Sequence, residues 1–185
     1  VKSIGEYAFN YCKALESIDI PDSVTYIGEH AFSYCSSLYD VSASANLEYI
    51  GKSAFFYSGY YNDYANWDNG FLYLDDYLLS ADADKVAADC RIYSKTRLIA
   101  AGAFNAVKGI TSVTMGDKVE YINAQAFYNC SNLRSVHLSS NLKKISDSSF
   151  ASCSALESIN VPQSVSAIED KAFWMCTSLT ETDIP

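Results

Sequence analysis

This 185-residue chain has no long apolar run. A bilayer-spanning helix needs about 20 consecutive apolar residues, so nothing here crosses a membrane as a helix. Basic residues are few: 13 Lys and Arg stand against 22 Asp and Glu, for a net charge of −9. Nucleic acids and anionic membrane surfaces are recognised by basic stripes, so both are disfavoured as partners. Only two histidines occur, and the six cysteines contain no C-x-x-C. Zinc-finger spacing is therefore missing. No catalytic Ser/His/Asp or Cys/His set can be assembled from the two histidines. No secretory leader is visible either. Val1 matches Val24, and Pro185 matches Pro21 and Pro162, so the expectation is a segment of a longer protein.

What the chain does have is a period. Ala-Phe recurs at Phe9, Phe32, Phe55, Phe104, Phe127 and Phe173, and Ser149-Phe150 fills the same slot. The spacing is 23 residues except for one gap of 49 between Phe55 and Phe104. Apolar residues make up 49% and mean hydropathy is −0.03, as in a globular chain. Three residues after the Phe comes Cys (Cys12, Cys35, Cys130, Cys153, Cys176). At six, nine and eleven lie aliphatics, as in Leu15, Ile18 and Ile20. The closing alternation predicts a short strand with its aliphatics inward. Pro21 and Pro162 end two of these strands, because proline lacks the ladder N–H. A second inward pair follows, such as Val24 and Ile27, and then a turn glycine in Gly5, Gly28 and Gly51.

A fixed period of 20–29 with recurring aliphatic slots is the signature of a leucine-rich-repeat solenoid. The predicted architecture is an α/β-type repeat solenoid of 23-residue coils. It has a parallel sheet on one face and mostly turns elsewhere, in one domain spanning 1–185. Eight strands are predicted near 15–20, 38–43, 61–66, 87–92, 110–115, 133–138, 156–161 and 179–184, in one stack roughly 35 Å long. The long gap predicts an irregular coil at about 58–100. In its fourth strand Ala87, Cys90 and Ile92 take the inward slots. Phe71-Leu72-Tyr73-Leu74 and Tyr77-Leu78-Leu79 read as a hairpin turning at Asp75-Asp76.

The stretch 15–35, LESIDIPDSVTYIGEHAFSYC, resembles the BspA-type leucine-rich repeat. The irregular coil from Asn69 to Phe104 resembles those that interrupt such arrays. The resemblance covers essentially the whole chain. It implies a cell-surface or secreted protein that binds other proteins, often in attachment to host tissue, with no catalytic residues to carry over. Ser58 and Val107 depart from the Cys slot, and Asn123, Ser146 and Glu169 from the Gly slot.

Each candidate site has a plain-packing alternative. The cysteine row is expected to be a buried ladder of free thiols, since in-register side chains point in parallel. His30 falls in a turn and His137 outward on a strand. The outward strand positions are small and polar and lack the Trp, Tyr and Arg of hot spots. Ser135, His137 and Asn160 are therefore the alternative site. The preferred site is the aromatic-acidic stretch: Tyr60, Asp63, Trp67, Asp68, Tyr73, Asp75, Asp76 and Tyr77. Rigid aromatics suit recognition, although Phe55, Tyr61 and Tyr64 are expected inward. From Asn62 to Asp89 seven Asp stand against one Lys, an acidic setting that suits a basic protein surface. Asp82-Ala83-Asp84 lacks the further oxygens of a calcium loop. The expectation is a monomeric, non-enzymatic protein-binding domain without cofactor or metal, with a host extracellular-matrix or surface protein as its partner. The alternatives are a spacer, or glycan binding by the Tyr/Trp/Asp-rich coil.

Overall fold

The structure, a computed structural model, describes residues 1–184. Pro185, matched above to Pro21 and Pro162, lies outside the described residues. The 23-residue period becomes coils that pair in register. Ser17–Asp19 pairs with Asp40–Ser42, parallel, as a two-stranded sheet. Asp89–Arg91, Ser112–Thr114, Ser135–His137, Ser158–Asn160 and Glu181–Asp183 form a five-stranded parallel sheet. In the first four of these strands the middle residue is buried, as period-two alternation requires, while Glu181–Asp183 at the end of the stack is exposed throughout.

The second residue of each later inward pair also lies in a short strand, where mostly turns were expected. Ser3–Ile4, Tyr26–Ile27 and Tyr49–Ile50 form one lateral sheet. Tyr77–Ala81, Leu98–Ile99, Tyr121–Ile122, Lys144–Ile145 and Ala167–Ile168 run parallel in another. Phe71–Leu74 and Trp67–Asp68 extend that sheet in antiparallel sense.

The turn at each Phe has a backbone reason. In every regular coil the residues two before and two after the Phe are left-handed, for example Tyr7 (φ 56) and Tyr11 (φ 61) around Phe9. That conformation costs a non-glycine residue roughly 1–2 kcal/mol. It aims alternate N–H groups along the stack: Tyr7 N to Glu29 O (2.9 Å), Phe9 N to Ala31 O (2.8 Å), Tyr11 N to Ser33 O (2.9 Å). Gly28 and Gly51, read above as turn residues, do not have positive φ. They are small because a Cβ would sit 2.4 Å from the backbone N of Glu6 and of Glu29 in the preceding coil.

The phenylalanines stack through the core, with ring centroids 5.2 and 5.1 Å apart from Phe9 through Phe32 to Phe55. The ladder resumes at Phe104, Phe127, Phe150 and Phe173, at 4.7, 5.2 and 5.6 Å. Between the two runs Ala81 holds the backbone of the Phe slot, its N–H donating to Ala103 O (2.8 Å). The missing ring comes from the hairpin: Phe71 lies edge-on to Phe104 at 6.1 Å.

The single stack is therefore corrected to two. One core holds the coils of residues 1–58, the other those from Phe71 onward. In the second lateral sheet Leu78, Ile99 and Ile122 face their own core, while Tyr77, Leu98 and Tyr121 point out and join the N-terminal one. The end of the first stack thus lies against the flank of the second. Asn123 fastens the joint, accepting from Ile50 N (2.9 Å) and donating to Glu48 O (3.0 Å). Ala101 N donates to Ile50 O (2.9 Å), and Tyr77 OH to Ser44 O (2.7 Å). Arg97 adds a donor to Ala45 O.

The strand predicted at 61–66 is replaced by a helical turn, Gly59–Asn62, and a 3-10 turn, Tyr64–Asn66. Ser58 is not an idle substitute for Cys. Its hydroxyl caps the helix, accepting from Tyr61 N (3.1 Å) and donating to Phe55 O (2.7 Å). Asp63 caps the next turn through Ala65 N (3.0 Å). Tyr64, expected inward, is 79% exposed. In the fourth strand Cys90 and Ile92 are buried as expected, but Ala87 is exposed and Val86 is buried instead.

Candidate functional site

The thiol row forms, but Cys12 at its start is exposed rather than buried, and the other four members each have a specific partner. Cys35, Cys130, Cys153 and Cys176 donate to the Phe carbonyl of the preceding coil, at 3.0, 3.1, 3.2 and 3.2 Å. All six cysteines are unpaired thiols. Burial pushes the Cys90 thiol up to about 12 and that of Cys176 to about 11. Thiols so protonated are poor nucleophiles. Cys12 differs, being exposed. His30 is packed, its ring stacked on Tyr7 at 5.1 Å and its Nδ1 3.0 Å from Ser33 Oγ. His137 is far from it in the fold, exposed on the five-stranded sheet.

The inserted stretch is tied together by its own polar groups. Tyr60 OH donates to Tyr73 O (2.7 Å), and Trp67 Nε1 to Tyr61 O (2.8 Å). Tyr73 stacks on Tyr93 at 5.1 Å and meets Thr96 Oγ1 at 2.9 Å. Burial raises both the Tyr60 and Tyr73 phenols to about 12, with Asp75 adding to the shift at Tyr60. Tyr93, outside the predicted set, donates to Asp68 Oδ2 (2.7 Å). Asp75 and Asp76 form the exposed hairpin turn, with Asp75 left-handed at φ 50. Tyr77 is 3% exposed and bonded across the joint, so it holds the fold and is removed from the candidate contact set. Tyr60, Asp63, Trp67, Asp68 and Tyr73 remain at or near the surface of one region.

The alternative residues Ser135, His137 and Asn160 are all exposed. His137 and Asn160, with Asp117 and Ser140, line one open recess of about 220 Å³, and Ser135 lies outside it.

A row of aromatic side chains went unread in the sequence. Tyr11, Tyr34 and Tyr57 occupy the left-handed position two after the Phe in the first three coils. Tyr11 and Tyr34 stack at 4.6 Å, and Tyr34 and Tyr57 lie 5.4 Å apart. The row continues from Tyr57 to Phe56 (4.2 Å), on to Tyr61 (5.2 Å) and then to Trp67 (5.3 Å). Tyr11 is 56% exposed and Tyr57 48%. In the C-terminal stack the same slots hold Ala106, Asn129, Ser152 and Met175, so the row is confined to one end. Its signal was the recurrence of Tyr at a 23-residue spacing.

A family described as the BspA type leucine rich repeat region matches residues 1–81 and 89–185, in six copies. A leucine-rich cell surface protein from Faecalibacterium prausnitzii is 28% identical over the whole chain, with a TM-score of 0.65. The chain spans 64% of that protein's length. A leucine-rich repeat protein from Bacteroides capillosus is 27% identical over 63% of this chain and 94% of its own, with a TM-score of 0.57. The T. pallidum leucine rich repeat protein, 23% identical over 98% of this chain and 72% of its own, shares the fold at a TM-score of 0.50. No curated protein matches.

Proposed function

Because the chain belongs to the BspA-type leucine-rich repeat family, we propose that it is the non-catalytic, protein-binding part of a cell-surface protein. Its partner is a basic protein surface, of the kind found on host or matrix proteins. The contact runs along Tyr11, Tyr34 and Tyr57 into the inserted stretch with Trp67, Asp68, Asp75 and Asp76. The observation that carries this reading is the row of half-exposed rings. Their backbone is strained and their inner neighbours already supply the core, so packing alone leaves them unexplained. Tyr and Trp offer large contact area for few rotamers, and hot spots favour them. The net charge of −9 favours a basic partner, whose association weakens with salt.

The test is binding of the chain to immobilised matrix proteins, with Tyr34→Ser/Tyr57→Ser and Asp75→Ala/Asp76→Ala variants beside it. The tyrosine pair should abolish retention, and the aspartate pair should blunt its salt dependence. Retention unchanged in both folded variants moves the contact to Ser135, His137 and Asn160. Absence of binding to every matrix protein favours the spacer reading.

A further inference from the structure

Beside the inserted helical turns lies an open groove of about 370 Å³. One wall carries Tyr61, Asn62, Tyr64 and Trp67, and the other carries Asp82 and Lys85 from the turn after the hairpin. From this geometry we infer that the groove binds a neutral saccharide. The groove shares Tyr61 and Trp67 with the end of the aromatic row, but the inference is tested at Tyr64 and Asp82, which the protein contact does not use.

Charge narrows the class of ligand first. Asp82 Oδ2 and Lys85 Nζ pair at 3.1 Å, so the groove offers no net charge to select a cation or an anion. Hydrogen-bonding capacity nevertheless remains. A carboxylate has about four acceptor positions. Asp82 commits one to Lys85 and one to Asp84 N, at 3.0 Å. The Asp84 bond is the main reason its carboxyl is held below the usual range, so it stays an acceptor. An ammonium has three donors, and Asn62 is exposed at the rim. Donors and acceptors side by side match hydroxyls, which do both.

The aromatic wall supplies the second half of sugar recognition. A pyranose has an apolar face of C–H groups that lies on an aromatic ring while its hydroxyls reach polar neighbours. Tyr64 is the exposed platform, 79% accessible and fixed by the Asp63 cap beneath its turn. Lys85 Nζ lies over this ring, 5.5 Å from its centroid, so a stacking sugar takes the place of the ammonium, which swings aside to meet its hydroxyls. Trp67, edge-on to Tyr61 at 5.3 Å, closes the inner end. Small-molecule pockets start at about 300 Å³, so the volume suits about one or two sugar rings.

The test uses the whole chain carrying Trp174→Phe, which leaves Trp67 as the reporter. Methyl glycosides of glucose, galactose, mannose and N-acetylglucosamine, and their disaccharides, are titrated by tryptophan fluorescence and calorimetry. At least one should give saturable binding in the millimolar range. Tyr64→Ala and Asp82→Asn should each weaken it about tenfold or more, while Tyr7→Ala, on an exposed ring of the first coil, should not. The inference is overturned if no glycoside saturates, if binding survives both groove variants, or if a basic peptide saturates the groove where sugars do not. Circular dichroism of each variant confirms the fold, and Tyr64→Phe should retain binding.

Discussion

At the residue scale the six thiols are chemically one set and spatially two. Cys35, Cys90, Cys130 and Cys153 are buried and Cys176 half-buried, whereas Cys12 is open to solvent. The sequence alone suggested that all six would be shielded. The structure changes the expected outcome of a labelling experiment. A thiol reagent should modify Cys12 rapidly in the native protein and the other five slowly, with six modified after denaturation. A denatured count of four or fewer would show disulfides that this structure lacks. The phenylalanine slots give a second residue-scale outcome. Phe127 is wholly buried between two stacked rings, so Phe127→Ala should cost about 3–5 kcal/mol in chemical denaturation. Phe56 is only partly buried and should cost clearly less. Equal costs would mean that the core is not organised around the ring ladder.

At the scale of elements, the inserted turns and the hairpin are joined by phenols that titrate unusually late. Tyr60 and Tyr73 both hold their protons up to about 12 in the folded chain. A free phenol loses its proton near 10. Their contribution to stability is therefore complete below about 10 and is lost as pH rises through about 12. A base titration following phenolate absorbance and Trp67 emission should show the insertion opening in that window. Emission that stays native beyond it would argue against the contact. This is also where reading the sequence failed. Tyr61 and Tyr64 sit at the strand slots, but they are three apart, a spacing that serves a helical turn equally well. The local cue was Ser58 in place of Cys, since serine caps helices and cysteine does not. The regular strands were legible because alternation and proline both speak for a strand. The hairpin was legible because two apolar runs flank Asp75-Asp76. The lateral strands were not, because two residues are too few to show a period.

At the scale of the whole molecule, the joint between the stacks was hidden in outward positions. Leu98 and Tyr121 are apolar where the next coils carry Lys144 and Ala167, and that change marks the face covered by the first stack. Of the candidate site, the sequence showed the aromatic-acidic cluster. It could not show that Tyr77, pointing out of its own stack, is buried against the other one, because burial there depends on residues some thirty positions away. Asn123 gives the joint a testable pin. Its amide occupies the backbone donor and acceptor that a neighbouring strand would otherwise satisfy. Asn123→Ala leaves both Ile50 N and Glu48 O without that partner and should cost about 1–3 kcal/mol. Unfolding should become two transitions in place of one, and a single unshifted transition would show that the joint does not depend on this amide. The joint also has a mechanical consequence. A straight solenoid pulled at its ends carries tension along its axis, shared by every ladder of hydrogen bonds. Two arms meeting at a flank convert the same pull into a bending moment at the hinge. The lever arms are about 15 and 25 Å at parallel strand spacing. A pull on both ends therefore loads the bonds of the joint, Asn123 to Ile50 and Glu48 and Ala101 to Ile50, as well as the ladders within each stack.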